Sequence, residues 1–349
     1  MFVIDKTYTV ESVTSGHPDK VCDQISDAIL DECLREDVKS RVAVESFGGH
    51  GTLIVGGEVT TNAQFDAEKI AKEIYRGIGY EQELKIITNI VRQSPDIALG
   101  VDTGGAGDQG IMYGYATDET PEYLPDAVVK VHALAEGLEK LRRAGLSWMR
   151  PDGKTQITVQ NGKITAVLVS AQHSEEAEQE FIKQELTDKL IKPIIGDVSS
   201  LEILVNPTGR FVQGGFEADT GLTGRKIMVD TYCGLLPHGG GCFSGKDPSK
   251  VDRSAAYMAR FAAKNVVASG LAKTCLVSVA YAIGRAEPLM VEAINEKGES
   301  LAELVKAKFD FRPRAIMERL NLLRPIYLQT AAYGHFGKAG LPWEEIVKI

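Results

Sequence analysis

The chain has little that would anchor or cross-link it. No apolar run approaches the ~18–20 residues needed to cross a bilayer; the longest uncharged candidate, Cys275–Gly284, is far shorter and reads as a buried strand. No membrane partner is expected. The N-terminus lacks a basic-then-apolar signal pattern, so a cytoplasmic location is expected. The five cysteines (Cys22, Cys33, Cys233, Cys242 and Cys275) form no C-x-x-C pair. That spacing argues against a zinc site or a disulfide framework and leaves each as a buried thiol. Basic charge is also in deficit. A net charge of −9 opposes broad nucleic-acid binding, which needs a basic surface. G-x-S-x-G and H-E-x-x-H are both missing, so hydrolase-triad and zincin chemistry has no support. A G-x-G fragment occurs within Gly105–Gly110, but YGYATDETPEYLP follows it instead of a Rossmann helix.

What is there repeats. A chain of 349 residues is expected to form two or three domains. A helix over Pro18–Arg35 precedes strands at Arg41–Phe47 and Thr52–Thr60, joined by a Gly-Gly-His-Gly turn; a helix follows from Asp66 to Ile78. The pattern returns with a helix at Asp126–Arg143, strands at Thr155–Gln160 and Lys163–Ser170 around an Asn161–Gly162 turn, and a helix over Ser174–Leu190. It returns again with a helix at Pro248–Ser269, strands at Thr274–Ile283 and Leu289–Asn295, and a helix near Ser300–Lys308. Three helix–hairpin–helix units predict an α+β fold of three like domains, each a mostly antiparallel sheet with helices on one face. The expected blocks are 1–98, 99–213 and 214–349.

The densest chemistry lies in HGGGCFSGKDPSKVDRSAAY, from His238 to Tyr257. Glycines free the backbone, Asp247 is suited to cap a helix with Pro248 at its first position, and Lys246, Lys250 and Arg253 gather there. Exposed N–H groups, a helix start and several cations make a polyanion site. Gly240 and Gly245–Lys246 have P-loop spacing, but Asp247 replaces the Ser or Thr that would hold magnesium.

A second glycine-led helix start is Ser15-Gly16-His17-Pro18-Asp19-Lys20. Asp19 and Asp252, one from each start, are candidate magnesium carboxylates, since magnesium on phosphates takes one or two. His17 is placed to donate to a phosphate or a leaving oxygen. Asp23, Asp27 and Asp31 continue from Asp19 at four-residue spacing, so they share a helix face and read as a solvated acidic stripe. Gly221–Lys226 (GLTGRK), with Asp219 before it, reads as another wall of the anion pocket. Asp152-Gly153-Lys154 alone reads as a turn.

Taken together, these segments resemble S-adenosylmethionine synthetases. The matching stretches are ESVTSGHPDK (Glu11–Lys20), GAGDQG (Gly105–Gly110), NPTGRF (Asn206–Phe211), GLTGRK (Gly221–Lys226), GGGCFSGKDPSKVDRSAAY (Gly239–Tyr257) and TAAYGHFG (Thr330–Gly337). They run through nearly the whole chain in family order. The resemblance implies three similar domains related by pseudo-threefold symmetry. It also implies a homotetramer, a dimer of dimers with active sites between subunits.

The implied reaction joins ATP to L-methionine: the thioether sulfur attacks the ribose 5′ carbon, and the triphosphate leaves and is hydrolysed to pyrophosphate and phosphate. By resemblance, His17 touches the phosphate chain, Asp19 and Asp252 bind Mg2+, and Glu45 binds K+. Asp152, Lys154, Arg210, Phe211, Asp219, Arg225, Lys226, Cys242 and Lys246 match nucleotide contacts. Glu58, Gln93, Asp219 and Lys250 match methionine contacts, and Asp108 matches a further active-site acid. Gln93–Gly104 corresponds to a gate and is several residues short of the bacterial pattern. Cys242 replaces the usual alanine, and Phe216-Glu217-Ala218 replaces a Pro/Gly turn before Asp219. The competing readings are a P-loop-like kinase or NTPase, and a catalytically silent nucleotide or S-adenosylmethionine sensor.

Overall fold

The computed structural model describes residues 6–92 and 105–349. Eleven strands are described: β1 (Thr7–Val13), β2 (Arg41–Gly49), β3 (Thr52–Thr60), β4 (Lys85–Val91), β5 (Gly110–Thr117), β6 (Met149–Gln160), β7 (Lys163–His173), β8 (Glu202–Val205), β9 (Gly221–Leu222), β10 (Thr274–Tyr281) and β11 (Met290–Asn295). The principal helices are α1 (Pro18–Glu36), α2 (Ala67–Ile78), α3 (Asp126–Arg143), α4 (Gln179–Leu186), α5 (Val251–Ala268), α6 (Ala302–Lys308) and α7 (Pro313–Arg319).

The strands form three sheets in the orders β4-β3-β2-β9, β1-β6-β7-β8 and β11-β10-β5. Each is built on one of the three hairpins read from the sequence: β2–β3, β6–β7 and β10–β11. Each borrows an antiparallel strand from elsewhere in the chain. β9 joins β2, β1 joins β6, and β5 joins β10. The first two sheets add a parallel edge strand, β4 on β3 and β8 on β7. The fold is therefore α+β and mostly antiparallel, as the three hairpins predict, while the strand exchange runs across the linear blocks. β9 has only two residues, and β1, β4, β5 and β8 carry no hairpin turn signal, so the local pattern does not show them.

The helix before each hairpin covers the inner face of its sheet: α1 on β2, α3 on β6 and α5 on β5 and β10. Helix α5 is buried almost all round, with Ala255, Ala259, Ala262 and Ala263 at its contacts. A Cβ at Gly114 of β5 would lie 2.1 Å from the Ala259 carbonyl carbon, so small residues on both elements set the helix-to-sheet distance. Cys275–Gly284 is not a fully buried run: along β10, Cys275, Val277, Val279 and Tyr281 are buried and the residues between them are half-buried. This alternation is that of an antiparallel strand with one face on a helix.

Two helix boundaries differ from expectation. The third leading helix begins at Val251 with Lys250 as its cap, not at Pro248. Asp247 is drawn away instead: its Oδ2 accepts from Val42 N at 2.7 Å and its Oδ1 from Ser249 N at 2.9 Å. The helix expected over Ser174–Leu190 starts only at Gln179 and widens after Leu186 into a π-type turn.

Candidate active site

Two segments converge on the start of α1. A Cβ at Gly16 would lie 2.4 Å from Pro151 O, and one at Gly221 would lie 2.2 Å from Pro18 O. The glycines thus admit the 151–154 and 219–226 segments against the His17 turn. His17 is the N-cap of α1, and its Nδ1 accepts from Asp19 N at 3.1 Å. Its pKa is lowered to about 2 by burial first and then by Lys226, Lys154, Lys20 and Arg225. With Nδ1 an acceptor in a neutral ring, the proton sits on Nε2.

Asp19 is buried beside it. Its Oδ1 accepts from Leu222 N at 3.0 Å, its Oδ2 accepts from Lys226 Nζ at 2.5 Å, and Arg225 Nε is 3.6 Å away. Asp152 is buried too, with Oδ2 accepting from Gly215 N at 2.8 Å and Oδ1 without any hydrogen-bond partner. Burial raises its pKa to about 6, against the pull of Gly215 N–H and Lys154, with Asp219 close enough to add to the rise. Asp152-Gly153-Lys154 is not a turn: it lies within β6, where the register with β7 shifts between Met149 and Gly153. That bulge carries Asp152 inward and leaves Lys154 exposed. Phe211 donates its N–H to His173 Nε2 at 3.0 Å, while Arg210 pairs at the surface with Glu175 at 2.9 Å.

A second group gathers about Lys246, beside the first sheet. Glu45 and Glu58 are exposed on its outer face, and Ala43, paired with Glu58 across the hairpin, is bridged to Lys246. Lys246 Nζ is 2.7 Å from Asp252 Oδ2, and Lys250 pairs with Asp247. Gly241 and Gly110 both lie against the Asp252 carboxylate. Asp108, two residues before Gly110, is exposed. Burial raises the half-buried Cys242 thiol, with Lys246 opposing and Glu45 adding to the rise. Gln93 and the Gln93–Gly104 gate lie outside the described residues.

The two cationic loops run end to end along one edge of β2. Gly221 and Leu222 pair with Gly48 and Phe47. Farther along, Gly245 O accepts from Val44 N at 3.0 Å, and Asp247 donates its N–H to Val42 O at 3.0 Å. They touch where a Cβ on Gly224 would meet Cys242 Cβ at 2.4 Å.

Two expectations are corrected here. Arg253 is no anion ligand: it is fully buried and held bidentate by Asp27. Asp23, Asp27 and Asp31 are not a solvated stripe either; all three are buried. Each accepts from the backbone of a C-terminal loop: Asp23 from Gly224 N, Asp27 from Gly245 N, and Asp31 from Tyr327 and Leu328 N. A signal was present. Val21, Cys22, Ile25 and Ile29 fill the positions between them, so α1 has no separate polar face to turn to water.

An α+β protein whose buried neutral histidine is ringed by Lys226, Lys154, Lys20 and Arg225 has the charge arrangement of a polyanion-binding class. Models of the N-terminal, central and C-terminal domains of S-adenosylmethionine synthetase match residues 5–95, 103–211 and 213–345. The chain belongs to the S-adenosylmethionine synthetase family. It is 50% identical to an S-adenosylmethionine synthase of Desulforudis audaxviator over 98% of this chain and 96% of the relative. It is 48% identical to one of Thermus thermophilus and 47% to that of Petrotoga mobilis, with the same coverage of both chains.

Proposed function

We propose that the protein is a methionine adenosyltransferase that forms S-adenosylmethionine from ATP and L-methionine and hydrolyses the released tripolyphosphate to pyrophosphate and phosphate. The observation that carries this reading is His17, neutral and proton-bearing at Nε2 inside a ring of cations. A thioether sulfur is a neutral, soft nucleophile that needs no general base. The demanding step is departure of a group carrying about four negative charges, and fixed cations in a dry pocket stabilise such charge best. Lys154, Arg225, Lys226 and Lys246 take that role, and His17 Nε2–H donates to the leaving oxygen. Asp152 Oδ1, buried and unpartnered, is an acceptor aimed at a nucleotide hydroxyl. Arg210, Phe211, Asp219 and Cys242 complete the ATP contacts. Glu58, Gln93, Asp219 and Lys250 contact methionine, and Asp108 is a further active-site acid.

Asp19 and Asp252 would hold Mg2+ and Glu45 would contribute to a K+ site. The donor set suits magnesium: two carboxylates, each already balanced by one lysine (Lys226 on Asp19, Lys246 on Asp252). Magnesium bound to phosphates takes only one or two protein carboxylates. When bound, magnesium supplies further positive charge on the triphosphate. Lys226 and Lys246, each paired with one of those carboxylates, would add their charge to that of the ion.

Active sites shared between subunits of a homotetramer fit the same geometry. His17 begins α1 on the inner side of the first sheet, whereas Glu45 and Glu58 project from its outer side. One chain keeps these groups apart. The outer side also exposes Phe47, Ile54 and Ile87 in one cross-strand row, with Val91 beyond, an apolar face suited to a second copy. No described helix is long and apolar enough to cross a membrane.

Incubation with ATP, methionine, Mg2+ and K+, followed by mass spectrometry, tests the reading. S-adenosylmethionine is the expected product. Phosphate release without it would favour an NTPase, and bound nucleotide without turnover would favour a sensor.

A further inference from the structure

Asp23 and Asp27 on the acidic face of α1 have no role in the reaction as set out above, yet with Asp19 their spacing matches the two cation loops. Successive carboxylates one turn apart meet successive backbone N–H groups along the β2 edge: Asp19 with Leu222 at 3.0 Å, Asp23 with Gly224 at 2.8 Å and Asp27 with Gly245 at 2.8 Å. Gly224 immediately precedes Arg225–Lys226, and Gly245 immediately precedes Lys246. Both glycines have left-handed backbones, at φ +82° and +80°. A side chain at either would meet Cys242 or Val44 O, so each loop has one backbone path.

The carboxylates are themselves held. Asp27 grips Arg253, whose Nη1 also donates to Lys246 O at 3.1 Å. Asp23 Oδ2 lies 2.9 Å from Lys20 Nζ, and Lys20 also pairs with Asp230. Ser26, between Asp23 and Asp27, bonds Thr223 Oγ1 at 2.8 Å and Ser46 Oγ at 3.1 Å. The rungs are therefore fully buried and cross-braced.

We infer that Asp23 and Asp27 are positioning residues: Asp23 fixes the Arg225–Lys226 loop on α1 and Asp27 the Lys246 loop, each pre-organising that loop's cations for the triphosphate it meets. This rests on the polyanion reading of the site. A buried carboxylate on a rigid helix holds the backbone just before the cations more firmly than the loop could hold it by itself. Pre-organised cations stabilise developing charge without reorganisation at the moment of reaction.

The test uses inorganic tripolyphosphate with Mg2+, titrated calorimetrically into the full-length protein. Asp23→Ala is expected to weaken binding per folded site about tenfold or more. Asp23→Asn keeps an acceptor for Gly224 N–H and is expected to stay within about threefold of the parent. In a Lys226→Met background, the loss caused by Asp23→Ala should shrink to about threefold or less, because the cation it positions is gone. Should Asp23→Ala not fold, Asp23→Ser, too short to reach Gly224, carries the same comparison. A purely structural Asp23 would lower thermal stability but leave per-site affinity, rescue by Asn and coupling to Lys226 unmoved; that result overturns the inference. Failure of the wild-type protein to bind tripolyphosphate at all would instead remove the polyanion reading, and the inference with it.

Discussion

Asp27 and Arg253 meet as a bidentate pair, Oδ1–Nη1 2.7 Å and Oδ2–Nη2 2.8 Å, with both side chains fully buried. The pair joins the first leading helix to the third, and Arg253 also lies over the Tyr327 ring at 4.3 Å. Removing one partner leaves the other charge buried and uncompensated. Asp27→Ala should cost about 3–5 kcal/mol in chemical denaturation. A loss below about 1 kcal/mol, the level of an exposed pair, would contradict the burial argued here.

Acid should destabilise the fold through its histidines. The pKa of His17 is lowered to about 2 and that of His132 to about 3, by burial first and then by nearby lysines, with Arg225 adding to the effect on His17. Below pH ~6.5 the unfolded chain binds protons at these sites and the folded chain does not, so stability falls as pH falls through that window. His132→Gln should flatten the slope between pH 6.5 and 4; an unchanged slope would show that His132 titrates normally.

His17 itself should stay neutral across pH 5–8 in the free protein. Tripolyphosphate, by offsetting the surrounding cations, should raise its pKa. Histidine side-chain NMR, assigned with His17→Gln, checks both statements. An inflection near pH 6.5 without ligand would remove the Nε2–H donor assignment as drawn.

Lys154→Met should abolish S-adenosylmethionine formation, at least ~10²–10³-fold by analogy with loss of one charge-stabilising donor. The side chain is exposed, so the thermal midpoint should barely change. Wild-type-like turnover would remove Lys154 from its role.

Glu45→Gln should lose potassium stimulation while keeping the fold, because Glu45 projects from an exposed sheet face. Equal potassium response in both proteins would contradict the assignment.

Complementation addresses the shared site. Lys154→Met and Asp252→Asn alter different halves. Mixed oligomers of the two inactive variants should regain about a quarter of wild-type activity, since half of random dimers are mixed and each has one intact site. No recovery in verified mixed oligomers would place both halves in one chain.

Much of the fold is legible in the sequence. The Asn161–Gly162 hairpin and the three leading helices were read from turn chemistry and 3.6-residue periodicity, both local signals. Borrowed strands were not, because their partners lie far away in sequence: Thr7 of β1 pairs with Gln160. His17, Asp19 and Lys246 stand out in the sequence by their glycine and proline neighbours. Asp23, Asp27 and Asp31 were misread, since four-residue spacing gives a shared face but not what covers it. Asp247 was drawn off the helix start by Val42 N–H, a tertiary contact that outbids local capping preference.

The most direct measurement is a quenched time course of the full reaction, counting S-adenosylmethionine, pyrophosphate, phosphate, ADP and AMP together. If the cationic loops hold the triphosphate as one leaving group, S-adenosylmethionine, pyrophosphate and phosphate rise in equal amounts and neither ADP nor AMP forms. Appearance of ADP or AMP, or phosphate without S-adenosylmethionine, would mean that a phosphorus–oxygen bond of ATP breaks first, and would contradict the account.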